Sequence, residues 1–233
     1  LASKNMSLTT IGSMSSRDDR HTQLLDSRLY LCTDSRREQD DLREFLHAAY
    51  EGGVDIIQLR DKSLDTAAEI LALEVLRDVS REHGKLFAVN DRADVAAIVG
   101  ADVFHVGQTD LTPKQARRIV GPDVLIGRSN HSVKQFRESM EDPLLDYAVI
   151  GPVWETPTKP GRSAVGLDTV AEAAAVAAEP EHTDKAWFAI GGVNVNTAPE
   201  VLATGAGRLV VVRAITQAPD PARAAAELQT LLR

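Results

Sequence analysis

The chain has 233 residues, 43% of them hydrophobic, and a formal net charge of −8 at pH 7. This length supports one large core, and no linker divides the chain, so we expect a single folded domain. The acidic balance argues against general nucleic-acid or membrane-surface binding. No stretch approaches the roughly 20 apolar residues of a membrane helix, and the single cysteine excludes an internal disulfide framework. We therefore expect a cytoplasmic protein; its oligomeric state, including a homo-oligomer, stays open.

The N-terminal segment 1–25 is polar and lacks hydrophobic periodicity. We predict a disordered extension over 1–25 and a folded domain over 26–233.

From Arg28 onward, short apolar runs alternate with longer segments of helical period, which is typical of parallel strands joined by helices. The predicted strands are 29–32, 55–59, 85–89, 103–106, 124–126, 147–150, 187–190 and 208–212. The predicted helices are 38–52, 65–83, 92–100, 112–120, 132–140, 168–178, 196–203 and 220–232. This alternation predicts an α/β fold, a closed (β/α)8 TIM barrel. An open doubly wound sheet is the alternative, because a strand count does not prove closure.

Polar side chains follow the second predicted strand. Gln58, Arg60 and Lys62 have two-residue spacing and face one side, while Leu59 faces the other. In a TIM barrel the C-terminal strand ends form the active site, so two cations and an amide point into its mouth. A structural ion pair would explain one arginine. Two cations favour an anion with more than one charge, such as pyrophosphate.

Two carboxylates, Asp91 and Asp110, end the third and fourth predicted strands. Neighbouring strands lie roughly 4.8 Å apart, so these carboxylates can share a hard divalent cation. Mg²⁺ typically takes one or two carboxylates and completes its shell with water and phosphate. The alternatives are a helix cap for Asp91 and a turn residue for Asp110.

The apolar run 147–150 stops in a loop rich in proline, threonine and glycine that includes Thr156, Thr158 and Lys159. Its exposed donors indicate an anion site, although such loops also occur as plain surface turns. The seventh and eighth strands end in Gly191-Gly192 and Val212-Arg213, where TIM barrels often bind phosphate.

Two other polar residues lie within apolar strands, and this position predicts structural roles for them. Cys32 fits a buried inert thiol, and His105 fits a packed, hydrogen-bonded side chain. His131 lies nearer the mouth and its role stays open. The sequence offers no activated serine or cysteine with a paired base, so a protein nucleophile is not expected.

Together these residues resemble the thiamine-phosphate synthase family over about residues 28–230. The motifs are Gln58-Leu-Arg-Asp-Lys62, Val89-Asn-Asp-Arg92, His105-Val-Gly-Gln-Thr-Asp110, Gly127-Arg-Ser-Asn-His131, Thr156-Pro-Thr-Lys159 and Ile190-Gly-Gly192. The resemblance implies a (β/α)8 enzyme that couples a hydroxymethylpyrimidine diphosphate with a thiazole phosphate, giving thiamine phosphate and pyrophosphate. Its partners are then small-molecule substrates.

The resemblance also implies residue roles. The pyrimidine diphosphate is assigned to Gln58, Arg60, Lys62, Asn90 and Ser129, with Leu59 and Asp61 from the same motif, and Mg²⁺ to Asp91 and Asp110. The thiazole phosphate and the departing pyrophosphate are assigned to Thr156, Pro157, Thr158, Lys159 and Gly192. Arg60, Lys62 and Lys159 are the implied catalytic cations, which stabilise the leaving pyrophosphate before the thiazole nitrogen attacks.

One position departs from the family pattern. Family members often have Ile-Ser before the last helix, with the serine on phosphate, whereas this chain has Val212-Arg213. We hypothesise that backbone N–H groups still bind phosphate there and that Arg213 either adds charge or turns outward. Three alternative functions remain: a thiazole tautomerase-like isomerase, a non-catalytic barrel that binds phosphorylated ligands, and a sugar-phosphate epimerase or aldolase.

Overall fold

The protein forms a closed barrel of eight parallel strands. The computed structural model describes residues 16–156, 161 and 163–233. The strands are β1 (Leu29–Thr33), β2 (Ile56–Leu59), β3 (Leu86–Asn90), β4 (Val103–Val106), β5 (Leu125–Asn130), β6 (Tyr147–Ile150), β7 (Ala186–Ile190) and β8 (Leu209–Val211). They follow one another around the barrel, and β8 pairs with β1. The predicted (β/α)8 barrel is confirmed, because this last pairing excludes an open sheet.

Helices surround the barrel. They are α1 (Arg17–Asp26), α2 (Leu42–Glu51), α3 (Thr66–Glu82), α4 (Ala93–Val99), α5 (Pro113–Val120), α6 (Val133–Glu141), α7 (Gly166–Ala177), α8 (Ala198–Ala203), α9 (Arg213–Thr216) and α10 (Pro221–Leu231). Helix α2 begins later than predicted, because Arg36 and Asp40 have φ angles of 50° and 52°, which no helix accepts. None of the described helices is long and apolar enough to cross a membrane.

Helix α1 corrects the prediction that residues 1–25 are disordered. Ser16 and Asp19 form a reciprocal capping box at its start. Arg17 and Arg20 form ion pairs with Asp146 and Asp102, at 2.5 and 3.1 Å. The prediction was wrong for this stretch because its long-range ion pairs leave no local pattern; residues 1–15 lie outside the described residues.

Successive side chains of the strands point alternately into two apolar layers. The outer layer lies between strands and helices, and the inner layer fills the barrel. The inner layer includes Tyr30, Tyr147 and Phe188, whose rings pack edge to face or tilted, with centroids 5.6 to 6.1 Å apart. Leu24 of α1 belongs to the inner layer and is completely buried. The polar residues of the motifs follow at the C-terminal ends of the strands.

Candidate active site

A cavity of about 320 Å³ opens at the C-terminal ends of β5 to β8. A smaller recess of about 50 Å³ lies beside it, on the side of β1 to β4. Both are lined by Ser129, Val149, Ile190, Val210 and Val212. Because they share these residues, the two spaces form one continuous site.

Of the first three residues of the β2 motif, Gln58 and Arg60 line the recess and Leu59 faces outward. The buried Gln58 amide donates from Nε2 to the Tyr30 hydroxyl at 2.7 Å, inside the barrel. The Leu59 side chain packs in the outer layer, so only its backbone can reach a substrate. Arg60 lines the recess, and within the described part of the chain its guanidinium has no hydrogen bond or ion pair.

Asp61 joins the loops after β1 and β2. Its carboxylate accepts hydrogen bonds from the backbone and hydroxyl groups of both Ser35 and Ser63. Burial opposes ionisation, but these bonds outweigh it and lower the pKa of Asp61 to about 2. The Asp61 carboxylate is therefore already bonded to both loops, so only the Asp61 backbone would be available for a substrate contact.

Asp91 and Asp110 meet at the ends of β3 and β4. Burial and the neighbouring Asp110 carboxylate both raise the pKa of Asp91, and the Lys62 ammonium, 3.3 Å from Asp91 Oδ2, opposes that rise. Asp110 is held by the Gly107 N–H, which donates to Oδ2 at 2.7 Å. Two carboxylates this close repel each other when ionised, and a divalent cation relieves that repulsion. The pair thus has the chemistry of a Mg²⁺ site.

Within the described ranges, no cluster of three or more His, Cys, Asp or Glu residues could hold a metal. A cation on the Asp91–Asp110 pair would therefore need most of its ligands from water or a bound phosphate. Mg²⁺ accepts that arrangement readily, whereas structural Zn²⁺ sites use four protein ligands.

Asn90 and Ser129 line the recess and are both buried. The Ser129 hydroxyl lies 2.8 Å from His105 Nε2, and His105 Nδ1 lies 2.9 Å from the Tyr147 hydroxyl. The prediction that His105 is packed and hydrogen-bonded is confirmed. The sequence did not predict this contact, in which β4 and β5 bring a serine hydroxyl beside a histidine ring.

The loops after β6 and β7 lie against each other. At Gly191, with φ of 107°, a Cβ would fall 2.5 Å from Pro152 Cα; at Gly192, with φ of 74°, one would fall 3.0 Å from Trp154 Cβ. Both positions thus require glycine for backbone conformation and close packing. Thr156 and Gly192 line the cavity. Pro157, Thr158 and Lys159 lie outside the described residues.

The loop after β8 completes the cavity wall. Val212 has φ of −129° and ψ of −90°, and α9 begins at the next residue. Val212 and Arg213 both line the cavity, and the Arg213 residue is exposed. His131, whose role the sequence left open, lies in the same wall with Nδ1 2.5 Å from the Gly151 carbonyl oxygen.

Comparison with known proteins places the site in a family. Residues 29–215 match a family model described as thiamine monophosphate synthase. The chain belongs to this thiamine monophosphate synthase family. The resemblance stated from the sequence is thus confirmed, and the chain is an enzyme, a transferase of thiamine biosynthesis.

Curated relatives and a solved structure agree with this family. The thiamine-phosphate synthase of Acidothermus cellulolyticus is 54% identical over 209 residues, covering 90% of this chain and 96% of that protein. That of Thermobifida fusca is 55% identical over 210 residues, covering 90% and 94%. Thiamine phosphate pyrophosphorylase from Pyrococcus furiosus has a TM-score of 0.77 at 31% identity, covering 91% of this chain and 96% of that one.

Two buried tyrosines inside the barrel of this family member were not predicted from the sequence. Tyr30 on β1 and Tyr147 on β6 join Gln58 and His105 through hydrogen bonds inside the barrel. The signal was present, because both tyrosines alternate in phase with the other inward-facing residues of their strands. The prediction covered only the C-terminal ends of the strands, and these tyrosines lie earlier in theirs.

Proposed function

We propose that this enzyme joins 4-amino-2-methyl-5-hydroxymethylpyrimidine diphosphate to a thiazole phosphate, releasing pyrophosphate and forming thiamine phosphate. The observation that carries the proposal is the grouping at one barrel mouth. Arg60 lines a recess that also contains Gln58 and Ser129, and the recess adjoins the larger cavity beside Gly192. The recess residues can bind a substrate that has a polar ring and a diphosphate. The glycine loops of the larger cavity can bind the phosphate of a second substrate.

The pyrimidine ring is assigned to the recess. Gln58, Asn90 and Ser129 supply an amide, a second amide and a hydroxyl there, all on rigid strands. These groups can hydrogen-bond the amino group and ring nitrogens of an aminopyrimidine. The thiazole phosphate is assigned to the larger cavity, with Thr156, Gly192 and the Val212 and Arg213 backbone around it.

Mg²⁺ is assigned to Asp91 and Asp110, whose crowded carboxylates fit a hard cation. When bound, Mg²⁺ supplies positive charge to the diphosphate. Lys62 pairs with Asp91 and places a positive charge beside the two carboxylates.

The cations Arg60, Lys62 and Lys159 are proposed to stabilise the negative charge that develops as pyrophosphate leaves. Arg60 and Lys62 follow the same strand, so they approach one diphosphate from the β2 side. The electron-rich aminopyrimidine stabilises the methylene cation, and the thiazole nitrogen attacks it. This sequence of steps uses no protein nucleophile.

The test is pyrophosphate release from the pyrimidine diphosphate, with and without thiazole phosphate, in Mg²⁺ and in EDTA. We expect release that needs both substrates and the metal, with thiamine phosphate as co-product. Asp91→Asn should lower the rate by about 10²-fold to 10³-fold, as loss of one preorganised charge contact does. Asp94→Asn is the matched control, because that exposed carboxylate on α4 pairs with Arg92, just before the helix. Equal release in EDTA, or none with both substrates, would overturn the proposal.

A further inference from the structure

A line of hydrogen bonds crosses the barrel interior from β2 to β5. Gln58 Nε2 lies 2.7 Å from the Tyr30 hydroxyl, which lies 3.2 Å from the Tyr147 hydroxyl. Tyr147 in turn lies 2.9 Å from His105 Nδ1, and His105 Nε2 lies 2.8 Å from Ser129 Oγ. The relative exposures of these five residues range from 0% to 8%. The line therefore joins residues of five separate strands, and all of them except Tyr147 line the recess.

The backbone is shaped to hold the middle of this line. Gly127 lies opposite the Tyr147 ring, and a Cβ there would fall 1.9 Å from the ring atom Cζ. The ring is also held by the edge-to-face contact with Phe188 and by the tilted His105 ring. The Tyr147 hydroxyl thus has little freedom to leave its two partners.

The direction of the hydrogen bonds follows from the Gln58 end. The Cys32 thiol, 3.6 Å away, donates to Gln58 Oε1, so the amide nitrogen faces Tyr30 and donates to it. Burial raises the pKa of both Tyr30 and Tyr147, so both hydroxyls keep their protons at neutral pH. Tyr30 then donates to Tyr147.

The same direction continues to the Ser129 end. Tyr147 donates to His105 Nδ1, and a neutral imidazole that accepts at Nδ1 carries its proton on Nε2. His105 Nε2–H therefore donates to Ser129 Oγ. The Ser129 proton is left to point into the recess, since no described residue accepts it.

The opposite direction is unfavourable. If Ser129 donated to His105, then Tyr147 would donate to Tyr30, which already accepts from Gln58. The buried Tyr30 proton would then have no hydrogen-bonded oxygen or nitrogen acceptor in the described part of the chain. Folded proteins avoid buried donors of this kind.

We propose that Tyr30, Tyr147 and His105 are positioning residues that fix the Ser129 hydroxyl as a hydrogen-bond donor to a ring nitrogen of the pyrimidine substrate. This inference rests on the proposed function. It also gives the Ser129–His105 pair a meaning other than nucleophile and base, because His105 Nε2 already carries a proton. The line of bonds selects a ring that presents an acceptor opposite Ser129.

The tautomer of His105 can be observed without any activity measurement. In ¹⁵N-labelled protein at neutral pH, two-bond ¹H–¹⁵N correlation spectra distinguish the two neutral forms, and His105→Asn identifies the signal. We expect the Nε2–H form in the wild type and a change of that pattern in Tyr147→Phe. An Nδ1–H form in the wild type would overturn the inference, whatever the enzyme turns over.

A double-mutant cycle tests whether the tyrosine acts through Ser129. Tyr147→Phe should lower kcat/KM for the pyrimidine diphosphate by about tenfold, the scale of one hydrogen bond, and leave KM for thiazole phosphate unchanged. Tyr147→Phe should add little to Ser129→Ala. If Tyr147→Phe lowers kcat/KM by the same factor in the Ser129→Ala variant as in the wild type, the positioning role is contradicted.

The matched control is Tyr50→Phe. Tyr50 is a buried tyrosine on α2 whose hydroxyl donates to the Leu86 carbonyl at 3.0 Å, outside the barrel interior. We expect Tyr50→Phe to keep wild-type kcat/KM even where it lowers the melting temperature. An equal loss in Tyr50→Phe would show a general stability effect and overturn the inference. If the wild type forms no thiamine phosphate, the proposed function fails while the tautomer result stands on its own.

Discussion

Arg60 and Lys62 follow one strand but have different surroundings. Lys62 is 67% exposed and shares its charge with Asp91. Arg60 lines the recess, and no described carboxylate pairs with it. A cation with no internal partner gives up no ion pair when an anion binds, whereas a paired cation must exchange partners. The diphosphate should therefore depend more on Arg60 than on Lys62.

We expect Arg60→Gln to lower kcat/KM for the pyrimidine diphosphate by about 10²-fold to 10³-fold, because it removes a preorganised charge. Lys62→Gln should cost less. Arg118→Gln on α5 is the control, since Arg118 is exposed on the outer helical layer and lines neither part of the site. Steady-state kinetics with each substrate varied will show which variant loses the most kcat/KM. Wild-type turnover in Arg60→Gln would remove its proposed role.

Helix α1 shows how an element outside the (β/α) repeat supports the barrel. Its two arginines reach Asp102, just before β4, and Asp146, just before β6, on the face opposite the site. Leu24 enters the inner apolar layer at the same face. The helix therefore closes the N-terminal end of the barrel, which the strands alone leave open.

Leu24→Ala should lower the free energy of unfolding by about 2–5 kcal/mol, because it removes a fully buried side chain and leaves a cavity. Urea denaturation measures the change. Leu71→Ala on α3 is the control, since that leucine is 64% exposed and should change the free energy by less than about 0.5 kcal/mol. Similar values for the two variants would mean that α1 contributes little to the core.

Barrel closure brings the site together from distant parts of the chain. The recess draws on all eight strands and the cavity draws on β5 to β8, so the proposed anion site exists only in the closed barrel. A ligand that binds only this folded form must raise its stability.

Pyrophosphate with Mg²⁺ should therefore raise the melting temperature. At about 100 times its dissociation constant, a ligand adds about 2.7 kcal/mol. For a protein of this size, that corresponds to a rise of about 5–10 °C. Calorimetric scans with Mg²⁺, with EDTA, and with Asp110→Asn measure it. An equal rise in EDTA, or in Asp110→Asn with Mg²⁺, would remove the metal from the carboxylate pair.

Much of the barrel was readable from local pattern. Apolar runs of period two and segments of helical period identify strands and helices in order, since each depends on residues close in sequence. The rule that TIM-barrel sites lie at C-terminal strand ends then predicts Gln58, Arg60, Asp91, Asp110 and Ser129 as site residues. The family motifs reinforced the same positions.

Other features were decided only by tertiary structure. The Tyr30–Tyr147 contact joins residues 117 apart, and the Arg17–Asp146 pair joins residues 129 apart. Such contacts depend on strand register and on the pairing of β8 with β1, which no local pattern encodes. The sequence by itself therefore determined the elements, their order and the residues at the mouth. Barrel closure determined which buried partners orient those residues, because inward side chains from different strands meet only inside the closed barrel.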